Sequence, residues 1–216
     1  MNLDVLIDLI LNYCKENKTK KIYICGNGAS GKTTLSNSII ERAKQDGYVN
    51  MISTDDFIVD TELRNNSIVK WCDNENIKTG RYTSCFKNSY FIKNIEEILY
   101  NLDNGNDCYH FTKKKEIKLL KSNYNLTIIE GIGTAFLNMN EENSLRLFIK
   151  CNNEVELERR KLRKGNSLEQ TEEQINKLFE ERNSQFKANV LPNINKFNVI
   201  LESDKDFNFN IIKGEL

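Results

Sequence analysis

The stretch GNGASGKTT, residues 26–34, sets three of the chain's ten glycines within six residues and follows them with a lysine and two threonines. It comes directly after the apolar run Ile22, Tyr23, Ile24 and Cys25. Glycines at this spacing let a backbone turn bring successive N–H groups close to a bound anion, because a side chain at those points would obstruct the approach. A helix beginning near Lys32 adds its unpaired N–H groups and the positive end of its dipole. Gly26, Asn27, Gly28, Ala29, Ser30, Gly31, Lys32, Thr33 and Thr34 therefore form a candidate cradle for a phosphate chain. Lys32 suits the β and γ phosphates, and the Thr33 hydroxyl suits Mg²⁺.

Two further segments carry acids at positions where such a loop could use them. Ser53, Thr54, Asp55, Asp56 and Phe57 follow a β-rich run. Carboxylates at the carboxyl edge of a parallel sheet lie beside the loop, where one of them can orient and deprotonate an attacking hydroxyl or hold Mg²⁺ through water. Leu126, Thr127, Ile128 and Ile129 lead into Glu130, an apolar strand ending in an acid and a second candidate for the magnesium shell. A GTP-reading NKxD motif is not formed, since Asn195, Lys196 and Phe197 are followed by Asn198. Arg159, Arg160, Lys161, Arg163 and Lys164 make a dense cationic helix end, either a solvated face or a lid whose arginines stabilise phosphoryl charge.

The elements that must position these groups follow from periodicity. Strands are expected over 21–25, 48–53, 126–130, 145–151 and 197–201. Helices are expected over 32–45, 88–102, 154–163 and 169–188, with an amphipathic N-terminal helix within 1–18. Continuous apolar strands alternating with helices imply a mostly parallel sheet with helices on both faces. The segments 60–88 and 108–125 are weakly patterned and read as an insertion covering an active site.

Bulk properties bound the partners. Across 216 residues, 31 Lys and Arg balance 31 Asp and Glu, so no global field draws the chain to nucleic acid or to an anionic membrane. No basic leader or apolar span is evident. Six cysteines without a CxxC pair and a single histidine argue against a metal cluster and for reduced thiols in the cytoplasm.

In this order, GNGASGKTT, STDDF, CYHF, IIEGIGTAF, VELERRKLRKG and FKANVLPNINKFNVIL resemble the uridine kinase and phosphoribulokinase family of P-loop kinases, over roughly residues 21–201. The resemblance implies a three-layer P-loop α/β fold, a single domain over 1–216 with an N-terminal helix at 1–18, an acceptor-site insertion at 60–125 and a short lid at 153–168. It implies ATP and Mg²⁺ as cofactors and transfer of the γ-phosphate to a hydroxyl, in the first instance of uridine. Asp55 falls on the catalytic base, Lys32 and Thr33 on the ATP and metal ligands, and Glu130 on the acid after the central strand. Tyr109 falls on an aromatic residue of the nucleoside pocket, with His110 beside it and Asp56 as a further acceptor contact. Arg159, Arg160 and Arg163 fall on the lid.

The family's nucleoside kinases carry a DHPxxFD-type segment whose acid grips ribose. The comparable stretch, 80–86, contains no Asp or Glu and offers Arg81 to an anionic acceptor instead. Pantothenate, nicotinamide riboside and a sugar phosphate stay open as acceptors beside uridine, as does a non-catalytic ATP-binding switch. The partner expected is a small hydroxyl compound, with homo-oligomerisation left open.

Overall fold

A computed structural model of the chain describes residues 1–73, 75–139, 142–164 and 171–216, with residues 163 and 164 described by backbone alone. The chain opens with α1 (Leu3–Glu16), capped by the Asn2 side chain, and enters β1 (Lys21–Gly26), every residue of which is buried. α2 (Lys32–Ala43) and β2 (Val49–Ser53) follow, then the short α3 (Thr61–Asn65) and a hairpin of β3 (Ile68–Asp73) and β4 (Asn76–Arg81). α4 (Ile92–Asp103) leads to a second hairpin, β5 (Cys108–Phe111) and β6 (Ile117–Leu120). The remaining elements are β7 (Leu126–Glu130), β8 (Ser144–Lys150), α5 (Asn153–Lys164), α6 (Glu172–Asn189), β9 (Val199–Ser203) and β10 (Phe209–Lys213).

The main sheet runs β10-β9-β8-β1-β7-β2, parallel throughout except for β10, which pairs antiparallel with β9. Alternation along the strands decides the layers. Ile22 and Ile24 of β1, with Leu145 and Leu147 of β8, face the apolar sides of α1 and α2. Tyr23 and Cys25 of β1, with Phe148 of β8, face α4 and the end of α6. Helices thus cover both faces, as the strand pattern implies, in the three-layer α/β P-loop fold that the resemblance implies.

The topology places the site. From β1 the chain crosses by α2 to the edge strand β2 and returns to β7, whereas β8 and β9 lie on the other side of β1. Strand order therefore reverses beside β1, and ligands of open α/β sheets bind at the carboxyl ends of strands at such a point. The register brings the three ends together: Ile24 of β1 and Ser53 of β2 both pair with Glu130 of β7.

Several elements depart from the sequence expectation. The helix expected over 88–102 begins at Ile92, because residues Lys87–Ser89 form a 3-10 turn and Tyr90 bridges to Ile58. The weakly patterned segments contain α3 and the two hairpins. The strand β10 was not anticipated; only Phe209 of its five residues is buried. The helix expected from residue 169 is observed from Glu172, behind a capping box of Thr171 and Gln174, and residues 169 and 170 lie outside the described residues.

Phe148 is fully buried, with its ring 5.2 Å from that of Phe197 and 6.2 Å from that of Phe186. Phe148→Ala is expected to cost about 3–5 kcal/mol in denaturant unfolding. Phe91→Ala, at a site that is 55% exposed, should stay within about 0.5 kcal/mol of the parent.

Candidate active site

The phosphate loop is shaped by backbone constraints at both ends. Gly26 ends β1 at φ 147°, and a Cβ there would stand 2.0 Å from the Ile149 carbonyl oxygen on β8. Gly31 takes the left-handed conformation, φ 97°, as the residue that starts α2. Between them the carbonyls are engaged from outside. Asn27 O accepts from Lys32 Nζ and from Ser30 Oγ, Ala29 O accepts from Arg159 at 2.9 Å, and Ser30 O accepts from Ser203 Oγ at 3.1 Å. Among the described residues, no backbone N–H of residues 28–31 donates to another part of the chain. Those donors border a cavity of about 290 Å³ that Lys32, Thr33, Asp55 and Glu130 also line. A loop with three engaged carbonyls and unspent amides suits an anion.

Glu130 ends β7 almost fully buried, and its carboxylate accepts from Thr33 Oγ1 at 3.3 Å. Burial raises its pKa above the ordinary carboxylate value; nearby Lys32 opposes the rise and Asp55 adds to it. Thr33, Glu130 and Asp55 supply oxygens only, which fits Mg²⁺. Among the described residues no group of three or more His, Cys, Asp or Glu could hold a metal. The ion would therefore rest on few protein oxygens, with phosphate and water completing its shell.

Asp55 and Asp56 are adjacent in sequence yet serve different neighbours. Both lie in the 3-10 turn Thr54–Phe57, capped by the Ser53 hydroxyl. Asp56 is tied to the β5–β6 hairpin: it accepts from the Lys113 N–H at 2.8 Å, and its other oxygen lies 3.4 Å from His110 Nε2. Asp55 is exposed, and among the described residues its carboxylate accepts no hydrogen bond.

A second cavity, of about 430 Å³, shares Asp55, Arg160 and Arg182 with the phosphate cavity. Arg64, Arg81 and Lys113 also line it. Arg81 is neutralised by Glu181, with Nη2 at 2.8 Å and Nε at 3.1 Å. Among the described residues no carboxylate lies within ion-pair distance of Arg64, Lys113 or Arg182. Arg182 donates to the Ser84 hydroxyl, and its Nε is buried with no partner.

The residues singled out from the sequence thus divide. The loop, Lys32, Thr33, Glu130 and Asp55 converge. Arg159, expected above the phosphates, has its guanidinium behind the loop, on Ala29 O, Ser203 Oγ and Asp204 O, and stacked 3.7 Å from the Phe207 ring centroid. Arg160 lines the cavity in its stead. Arg81 borders the second cavity with its charge spent on Glu181. Tyr109 is exposed and, with His110, Asp56 and Phe57, lines a separate cleft of about 460 Å³. Trp71, within the expected specificity region, is buried and donates to Ser184 Oγ at 2.9 Å. The side chain of Arg163, and residues 165–168 of the expected lid, lie outside the described residues. Sequence reasoning missed Arg64, Lys113 and Arg182. Their types were visible, but no local motif marks them.

Two outcomes follow from this geometry. Lys32→Ala should weaken ATP binding about 10–100-fold in calorimetry, as expected for losing a charged hydrogen bond to phosphate, with the fold retained. His110 is buried against Phe57, and burial lowers its pKa below 6.5 despite the opposing pull of Asp56. The unfolded chain then takes up this proton at higher pH than the native one. The stability linked to a neutral His110 is complete above about pH 6.5 and is lost as pH falls. His110→Phe should shrink the drop in unfolding free energy between pH 7.5 and 5.5.

The fold is shared by D-glycerate 3-kinase from Cryptococcus neoformans var. grubii, with a TM-score of 0.65, 10% identity, and coverage of 97% of this chain and 99% of that one. It is shared by phosphoribulokinase from Rhodobacter spheroides, at TM-score 0.59, 12% identity, and 86% and 70% coverage respectively. A possible uridine kinase from Bacillus stearothermophilus gives 0.51, 15% identity, and 93% and 99% coverage. No curated protein sequence matches the chain. The model of the phosphoribulokinase / uridine kinase family matches residues 21–208, which span the loop, both acids and the helices carrying Arg160 and Arg182. The chain belongs to the phosphoribulokinase / uridine kinase family of kinases.

Proposed function

We propose that this chain transfers the γ-phosphate of ATP to a hydroxyl of a small acceptor that bears its own negative charge, such as a sugar phosphate or a hydroxy acid. One observation carries the reading: the unengaged Asp55 carboxylate borders both the phosphate cavity and a second cavity where Arg64, Lys113 and Arg182 have no acid partner among the described residues.

ATP with Mg²⁺ supplies the phosphoryl group and part of the charge neutralisation. Residues 26–34 hold the phosphates, chiefly on the free amides of residues 28–31, with Lys32 as the loop's own cation. Thr33 and Glu130 hold the metal. Asp55 accepts the proton of the acceptor hydroxyl and aligns it for attack. Arg160 and Arg182 lie between the two cavities, where charge builds on the transferring group. Arg64 and Lys113 face the acceptor's own anion. Arg159 serves the site from behind by holding Ala29 O.

In this reading 1–216 is one kinase domain, with 1–18 as a packing helix, 60–125 as the acceptor-site insertion and 153–168 as the lid. All six cysteines are unpaired, which suits the cytoplasm. Among the described residues no helix is long and apolar enough to cross a membrane.

The uridine-like reading draws on a different place. Phe57, His110, Tyr109 and Phe111 line the neighbouring cleft, a set of rings suited to a nucleobase. In that reading the acceptor is neutral and Asp56, not the cations, meets it. A non-catalytic ATP switch would release no ADP in response to any acceptor.

ADP release measured over uridine, pantothenate, nicotinamide riboside, D-glycerate and ribulose 5-phosphate separates these readings. An anionic acceptor should give the highest kcat/KM. Asp55→Asn should lower kcat about 10²–10⁴-fold, and Asp56→Asn much less. Arg64→Met should raise KM for the anionic acceptor about tenfold or more and leave KM for ATP unchanged. Preference for uridine, or a larger loss from Asp56→Asn, would overturn the proposal.

A further inference from the structure

The two neighbouring arginines of α5 point to opposite sides of the phosphate loop, and one buried carboxylate links the cavity-side arginine to the loop itself. Glu156 lies in the first turn of α5 and is 6% exposed. One of its oxygens accepts from both Nε and Nη2 of Arg160, at 2.9 and 2.6 Å. Its other oxygen accepts from Asn27 Nδ2 at 3.1 Å. Asn27 is the loop residue whose carbonyl holds Lys32 Nζ and Ser30 Oγ, and its side chain also reaches Cys151 O at 3.3 Å. Arg160 in turn lies against the loop: a Cβ on Gly28 would fall 1.9 Å from Arg160 Nη2.

A guanidinium has five N–H donors, and a grip on its Nε edge spends two of them. That grip fixes the plane of the group while three donors remain for phosphate oxygens. Pre-set donors of this kind act without reorganisation when charge develops. The other contact of the same carboxylate anchors Asn27, and through its carbonyl the Lys32 ammonium. Loop shape and arginine placement are thus two ends of one side chain.

We propose that Glu156 is a positioning residue that presents Arg160 to the γ-phosphate while holding the phosphate loop through Asn27. The inference rests on the phosphoryl-transfer reading above. A glutamine at this position has one oxygen acceptor and an NH₂ donor, so it can satisfy Arg160 or Asn27 but not both. The γ-phosphate should report the loss, because ADP lacks the group that Arg160 meets.

The test is calorimetric titration with ATP·Mg²⁺ and with ADP·Mg²⁺, which needs no acceptor. Glu156→Gln should lower the ATP-over-ADP affinity ratio about tenfold or more while ADP affinity changes far less. Arg160→Ala should lower the ratio similarly, and adding Glu156→Gln to Arg160→Ala should lower it no further. Arg160→Lys, which keeps the charge but loses the side-on grip, should reproduce the loss and provides the test if Glu156→Gln fails to fold. An unchanged ratio in Glu156→Gln, or losses that add in the double variant, would overturn the inference and leave the phosphate-loop reading standing. Absence of binding of either nucleotide to the parent protein would remove both.

Discussion

The site depends on a loop with three carbonyls, Asn27 O, Ala29 O and Ser30 O, occupied by side chains from the surrounding elements, so that its amides are left for an anion. Buried backbone groups seek partners, and a loop of this kind would close on itself if its carbonyls were free to take its own N–H groups. The Lys32 ammonium, the Arg159 guanidinium and the Ser203 hydroxyl prevent that by binding Asn27 O, Ala29 O and Ser30 O. These three side chains come from α2, α5 and β9, so the loop is shaped only when the elements around β1 are packed. Gly26 adds a steric condition, since the close approach of the Ile149 carbonyl leaves no space for a side chain. Fold and site are coupled through these few contacts.

Positive charge at the mouth of the site is the second constraint. Arg160 is half-buried, and that partial burial, with the like charge of Arg182 next in weight, pulls its pKa below the usual guanidinium value, while Glu156 pulls the other way. Two guanidiniums facing one cavity repel each other, and an anion placed between them relieves that repulsion. The same holds for Arg64 and Lys113 in the adjoining cavity. Asp56 is withdrawn from this field by the Lys113 N–H and His110, which leaves Asp55 as the acid between the two cavities.

What could be read from the sequence follows from how local each feature is. The phosphate loop is contiguous, and Glu130 closes an unbroken apolar strand, so both were legible from residue types alone. The alternation of Ile22 and Ile24 with Tyr23 and Cys25 looked like a buried strand and proved to divide two cores. The hairpins were not legible because, Trp71 and Leu120 apart, their apolar residues are not buried in a core. Ile68 and Ile77 are each 77% exposed, so no period-2 burial pattern marks β3 and β4. Arg182 lies on a long charged helix where its neighbours Glu180, Glu181 and Lys187 look alike in sequence, and only the docking of α6 brings it to the two cavities. Arg159 and Arg160 were indistinguishable as a cationic run. One residue step, about 100° around a helix, sends one behind the loop and the other into the cavity.

The central claim is that the donor loop and the cationic cavity meet at Asp55. A crystal structure with a non-hydrolysable ATP analogue and Mg²⁺ tests it most directly. The account predicts the triphosphate on the amides of residues 28–31, the metal on Thr33 and Glu130, and the γ-phosphate facing Asp55 with the Arg64, Lys113 and Arg182 cavity beyond it. A triphosphate that leaves the loop empty, or a γ-phosphate directed away from Asp55, would contradict it.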